Sequence, residues 1–233
     1  MIIEKKGNIF TTQCDVIVNA VNCVGVMGAG IAYEFRLRYP DMFKKYKILC
    51  INRELDIGKL WIFSSEDKKI LNFPTKYDWK YPSKEEYLHK GLQKFVETYR
   101  QRGITSIAFP LLGSQKGGLT SERSLEIMKQ HLKKCDIDIE IWHFDPMAKD
   151  DLYNQFKSIM HELDDQTIKT ELNIRIDIVR KIRSALEKPY INSISGLLRV
   201  NGVGGATLEK LFQYIIMYKK NHTNLFNCNS TTV

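Results

Sequence analysis

The chain has 233 residues, 43% of them hydrophobic and 27% charged, with a formal net charge of +8, which suits one domain of ordinary size plus a small extra unit. No apolar run approaches a membrane span and the N-terminus lacks a signal peptide's apolar core, so the expected protein is cytoplasmic, with no membrane partner. Five scattered cysteines without a CxxC pair argue against a disulfide framework or a zinc site, and the positive charge is compatible with a polyanionic or phosphate-bearing partner.

Ile2-Ile3 begins a short strand that leads into Gly7-Asn8-Ile9-Phe10. The run Val16-Ile17-Val18 then reads as a second strand, interrupted by Asn19 and Asn22. A glycine loop follows, with Gly25, Met27, Gly28, Ala29 and Gly30, after which Ile31, Ala32, Phe35 and Tyr39 recur at helical spacing. Strand, glycine loop and helix in that order suit a phosphate, because a helix N-terminus presents unpaired N–H groups and glycines let the backbone approach an anion. A Rossmann fingerprint is disfavoured: no GxGxxG spacing is present, and asparagines stand where such a strand is apolar. Cys23, in the same loop, reads as a small filler. Pro40 opens a second short helix through Tyr46, read as packing.

Leu60–Phe63 and Ile70–Phe73 read as strands joined by a polar turn, leading into Asn72-Phe73-Pro74-Thr75-Lys76-Tyr77-Asp78-Trp79. Pro74 stiffens that loop, and Trp79 is placed to shield Lys76. Ser83–Arg102 reads as a helix with Ser83 and Glu86 as a capping box and Leu88, Leu92, Phe95 and Tyr99 as its apolar stripe. Ile107-Ala108-Phe109 is a buried strand running into a second glycine loop, Leu112-Gly113-Ser114-Gln115-Lys116-Gly117-Gly118. Lys116 is at its tip, either within reach of a phosphate or simply solvated. Ser121–Cys135 reads as a helix and Ile137–Trp142 as an alternating strand. His143 reads as a strand-end histidine rather than an acid–base partner of Asp145, and Asp151–Met160 as a closing helix.

A polar bridge over 161–165 marks the expected domain boundary, followed by a helix from Thr167 to Leu186. The run from Ile194 to Leu211, with Asn201-Gly202-Val203-Gly204-Gly205 and Lys210, resembles a helix-hairpin-helix, with Asn201 in place of the usual proline. Such a hairpin offers backbone N–H groups to a DNA phosphate and reads no base. Residues 171–220 carry nine Lys/Arg against four Asp/Glu, although a hairpin merely capped by glycines is an equal reading of the same residues. From Asn221 the chain is polar and expected to be mobile.

The run VNAVNCVGVMGAGIAYEF, together with YPDMFKKY and NFPTKYDW, resembles the macrodomains, and more narrowly the DarG-type DNA ADP-ribosyl glycohydrolase antitoxins, whose matching runs are VNxVNxxGxMGxGxAxxF, YPxMFxxY and NFPTKxxW. The resemblance covers about residues 1–160. It implies an α/β fold, a three-layer α/β/α arrangement on a mixed central sheet over 1–162; the small all-helical extension over 165–220 and the tail over 221–233 lie outside it. It implies an ADP-ribose site made by Asn8, Ile9, Asn19, Gly25, Met27, Gly28, Ala29, Gly30, Thr75, Leu112, Gly113, Ser114, Gln115, Lys116, Gly117 and Gly118. Asn22 would orient the distal ribose and Lys76 would act at its anomeric carbon, as an attacking amine or as an ammonium that stabilises developing charge, with no metal or cofactor.

Two features bear on chemistry. Asn8 stands, as in DarG-like members, where many macrodomains have the aspartate that reads adenine, and a turn asparagine is an equal reading of it; the second loop reads GSQKGGL where DarG-type proteins usually read GCGxGGL, so Gln115 replaces a glycine. The catalytic aspartate of the related mammalian glycohydrolase has no counterpart. The implied activity is removal of ADP-ribose from a modified macromolecule, a DNA base among the candidates. The alternatives are an ADP-ribose-binding module without turnover and a hydrolase of a free ADP-ribose derivative. The implied partners are the ADP-ribosylated substrate, DNA through the C-terminal extension, and a toxin.

Overall fold

The computed structural model describes residues 1–148, 150–198 and 200–215, so the tail expected from residue 221 lies outside the described residues. The chain divides into two compact units, Met1–Ala148 and Lys149–Val233.

The first unit is built on a six-stranded sheet of β1 (Ile2–Gly7), β2 (Val16–Val21), β3 (Trp61–Ser64), β4 (Lys69–Pro74), β5 (Ser106–Pro110) and β6 (Asp138–Phe144). Their order is β1-β6-β5-β2-β4-β3, all neighbours parallel except the antiparallel pair β3–β4, so the sheet is mixed. Four helices cover it: α1 (Gly30–Arg38), α2 (Pro40–Ile51), α3 (Glu85–Thr98) and α4 (Ser121–Leu132).

Alternate residues of a strand face opposite ways. Val16 and Val18 accordingly pack with Leu88, Leu92 and Phe95 of α3 and Ile127, Met128 and Leu132 of α4. Ile17 and Val21 pack instead with Phe35 of α1 and Met42, Tyr46 and Cys50 of α2. Both faces of the central strands are therefore buried, which is why they read as continuous apolar runs. The expected three-layer α/β/α unit is the one observed.

α3 meets β4 at Gly91, where an added Cβ would lie 2.2 Å from Cζ of the buried Phe73 ring. Gly91→Ala is expected to destabilise the chain by about 1–3 kcal/mol through overpacking, read as a lower denaturant midpoint at unchanged slope. The start of α3 differs from the expected capping box. Lys84 is the N-cap and makes no side-chain cap bond. Ser83 is withdrawn because its backbone N–H donates to the Gly117 carbonyl at 2.8 Å.

The second unit is helical: α5 (Asp151–Glu162), α6 (Asp165–Leu172), α7 (Ile176–Leu186), the short α8 (Ile194–Leu197), and a further helical stretch over 205–215. The boundary expected near residue 162 falls instead after Ala148. The apolar stripe of α5 is satisfied within this unit, since Phe156 stacks on Phe212 with ring centroids 4.6 Å apart. Tyr153 donates its hydroxyl to the Ile191 carbonyl, and Lys157 Nζ donates to the Leu186 carbonyl at 2.7 Å. Between α8 and the last helical stretch the chain turns at Gly202, whose φ of +85° favours glycine. Asn201, Gly202, Gly204 and Lys210 are exposed. No helix among the described residues is long and apolar enough to cross a membrane.

Candidate ligand site between two glycine loops

Past the end of β2 the chain must leave the sheet and start α1, and Asn22 holds the loop that does so. Its Oδ1 accepts from the N–H groups of Val24 and Val26 at 3.1 and 3.3 Å, and its Nδ2 donates to the Val26 carbonyl at 2.5 Å. The hydroxyl of Tyr46, buried in α2, donates toward Asn22 O and Oδ1, at 2.8 and 3.0 Å. Gly25 and Gly30 take φ of +80° and +58°. Gly28, Ala29 and Gly30 are exposed, and the α1 N-terminus has no side-chain cap from Ala29. Backbone donors and the positive end of the α1 dipole therefore face outward together, the arrangement that receives an anion.

The second loop folds on itself. Ser114 Oγ donates to the Leu111 carbonyl at 2.8 Å, Gly117 N–H to Ser114 O at 2.8 Å, and Leu119 N–H to Gly113 O at 3.0 Å. Gly113 and Gly118 have φ of +69° and +88°, and Gln115 shares that left-handed region at +49°. Gln115 thus follows the backbone course a glycine would take there, at some conformational cost.

Residues 75–83 join the two loops. Thr75 N–H donates to Val21 O at 2.9 Å, Cys23 N–H to Tyr77 O at 2.9 Å, and Ser83 N–H to Gly117 O at 2.8 Å. Lys76 Nζ donates to the Lys116 carbonyl at 2.5 Å, and the Cys23 thiol lies 3.5 Å from the Lys76 carbonyl. Burial holds the Lys76 ammonium below the usual lysine range, which raises its share of free amine. Burial also pushes the Cys23 thiol up to about 12, so it stays protonated and serves as the filler the sequence suggests. His143 pairs with Glu4 at 2.9 Å and takes no part here.

The structure thus joins Lys76 to the run Gly113 to Gly118 through the Lys116 carbonyl and Gly117, and to the start of the first glycine loop through Cys23. Several other expected contact residues have their side chains engaged within the protein. Asn19 is fully buried and its Nδ2 donates to Asn72 Oδ1 at 2.9 Å, joining β2 to β4. The Met27 and Leu112 side chains are core, and Ile9 is likewise buried. The Thr75 hydroxyl is buried and faces the Val21 carbonyl at 3.4 Å. Asn8 Oδ1 accepts from Phe10 N–H at 3.0 Å, capping a short turn. Asn22, expected to orient the distal ribose through its amide, uses that amide within its own loop in the structure. Trp79 is 52% exposed, which does not fit the shield expected over Lys76. Sequence reasoning missed Tyr46, because a tyrosine in a helix read as packing carries no local sign of a partner 24 residues away. Among the described residues no group of three or more His, Cys, Asp or Glu is placed to hold a metal ion.

Residues 18–128 match the Macro domain family model. A Mycobacterium tuberculosis protein named DNA ADP-ribosyl glycohydrolase is 42% identical over 126 residues, covering 52% of this chain and 36% of that protein. The solved macrodomain of Mycobacterium tuberculosis DarG is 39% identical, covers 61% of this chain and 97% of its own, and superposes with a TM-score of 0.59. A Thermosipho africanus DarTG structure in complex with ADP-ribose is 32% identical over 60% of this chain and 40% of that one, with a TM-score of 0.57. The match thus spans well under half the length of the curated relative.

Proposed function

The chain belongs to the macrodomain family, and on that premise we propose that it is an ADP-ribosyl glycohydrolase that removes ADP-ribose from a modified DNA base. The observation that carries this reading is Lys76, a lysine of lowered basicity whose Nζ is held by the second loop and whose backbone abuts the first. The diphosphate lies at Gly28, Ala29 and Gly30, where the start of α1 offers N–H groups, and the run Gly113 to Gly118 covers it. The distal ribose then faces Lys76.

Lys76 acts there as an amine. One N–H stays bound to the Lys116 carbonyl while the nitrogen lone pair attacks the anomeric carbon. The bond from that carbon to the base breaks, its electron pair goes to the base, and the base takes up a proton. The sugar ring opens to leave a Schiff base on Nζ, and water hydrolyses it to ADP-ribose and free lysine. Borohydride added during turnover is expected to fix ADP-ribose on the peptide containing Lys76. Turnover without any such adduct would instead assign Lys76 to charge stabilisation as an ammonium. The pH profile has opposite signs in the two cases. An amine mechanism speeds up as pH rises through a pKa below the ordinary 10.5, whereas an ammonium mechanism slows down there.

The helical unit grips the DNA in this reading. The turn at Asn201, Gly202, Gly204 and Gly205 with Lys210 would meet a backbone phosphate, supported by the exposure of Asn201, Gly202, Gly204 and Lys210. Lys210→Ala is then expected to weaken DNA binding equally across sequences and to lower the salt slope by about one. A toxin that installs the modification would be the corresponding partner, and the cytoplasm the corresponding compartment.

A further inference from the structure

Tyr77, Trp79 and Tyr81 are 57%, 52% and 67% exposed. Aromatic rings are usually withdrawn from water, so three of them bare within five residues call for a reason. They lie on the segment that carries Lys76. Tyr81 is five residues beyond Lys76, no more than about 18 Å along an extended chain. The segment is also fixed in place. Asp78 Oδ1 accepts from Lys80 N–H at 3.0 Å, and Tyr81 N–H donates to Asp78 O at 3.3 Å. Its two ends are tied to the glycine loops through Cys23 and Gly117. Rings held in this way lose little conformational freedom when something stacks on them.

We propose that Tyr77, Trp79 and Tyr81 form a stacking platform for the unpaired bases that flank the modified nucleotide in single-stranded DNA. This rests on the reading of the site as acting on an ADP-ribosylated DNA base. The composition favours bases over an apolar partner: the segment from Tyr77 to Pro82 holds three aromatics, a lysine and an aspartate, and no Leu, Ile, Val or Met. Lys80 lies over the Trp79 ring at 5.9 Å, and Lys116 is exposed on the loop that Lys76 and Ser83 bond, so the rings stand beside cations that suit a phosphate backbone. The acidic groups at this end are engaged, Asp78 in its turn, Glu85 with Arg123 at 2.7 Å and Glu86 with Lys84 at 4.0 Å. Flat rings read base faces, and those faces are free only where the strand is unpaired. The platform therefore selects single strands over duplexes and longer strands over an isolated modified nucleotide, with little sequence preference.

The test uses the full chain and two substrates, an ADP-ribosylated mononucleotide and the same nucleotide inside a ten-base single strand. The native protein is expected to show the lower KM on the strand. Combined Tyr77→Ala, Trp79→Ala and Tyr81→Ala should raise the KM for the strand by roughly tenfold or more and leave kcat, the mononucleotide kinetics and ADP-ribose affinity unchanged. Trp79→Phe alone, which keeps a flat ring at that position, should hold KM on the strand close to native. A triple variant with native KM on the strand overturns the platform. So does an equal loss on both substrates, which would make the segment a support for the pocket. If the native chain releases ADP-ribose from neither substrate, the enzymatic reading has failed separately. Quenching of Trp79 fluorescence by an unmodified ten-base strand, absent in Trp79→Phe, then decides the platform by itself: quenching upholds it and none overturns it.

Discussion

Lys76→Ala keeps ADP-ribose bound and stops its release. The substitution removes one amine and leaves in place the backbone of both glycine loops, where the diphosphate is held. The expected loss in kcat is roughly 10²–10³-fold or more, the scale for removing a group that acts mainly in the transition state, with ADP-ribose affinity within about threefold of native. Single-turnover release and calorimetry on the same preparation measure the two quantities. Lys76→Arg sharpens the result. Guanidinium keeps the positive charge and cannot become a free nucleophile. Activity retained by arginine would mean charge stabilisation, and activity lost with both variants means amine attack. A fall in affinity equal to the fall in kcat would show that Lys76 only holds the ligand.

Asn22→Ala should cost binding and stability together. The amide oxygen accepts from Val24 and Val26 and lies within reach of the Tyr46 hydroxyl, and the amide nitrogen donates to the Val26 carbonyl. Alanine leaves these loop groups without that partner just where the chain must bend from β2 toward the exposed N-terminus of α1. The expected loss is about 2–3 kcal/mol of stability, and ADP-ribose affinity should fall roughly 30–150-fold because the donors at Gly28 to Gly30 lose their fixed position. Tyr46→Phe should shift both quantities in the same direction by less, since the loop keeps its own bonds. If Asn22→Ala lowers affinity with no change in unfolding, the amide contacts the ribose after all.

The fold was legible because its signals are local. Apolar strands, a glycine loop before a helix, and the stripe on α3 each declare themselves within some fifteen residues, and the macrodomain motifs lie along them in order. The position of Lys76 was legible for the same reason. What the sequence could not show is where side chains point and what they spend their hydrogen bonds on. Strand alternation and loop closure turn the side chains of Asn19, Met27 and Thr75 inward. The partners of Asn22 within the fold were hidden for the same reason, because Val26 and Tyr46 come to it only once the loop closes. The place of α5 was hidden in another way. An amphipathic stripe states that a face is buried but not against which element, and here the partner, Phe212, lies 56 residues further on. Gln115 looked like a break in a glycine loop, yet it keeps a left-handed φ of +49°, so the loop retains a glycine-like path.

The most direct test of the central claim is to incubate the protein with ADP-ribosylated single-stranded DNA and, separately, with ADP-ribosylated protein, and to measure free ADP-ribose. Release from the DNA is expected, with little or none from the protein and none from either with Lys76→Ala. Tight binding of ADP-ribose with no release from the DNA would contradict it and make this chain a reader of the modification.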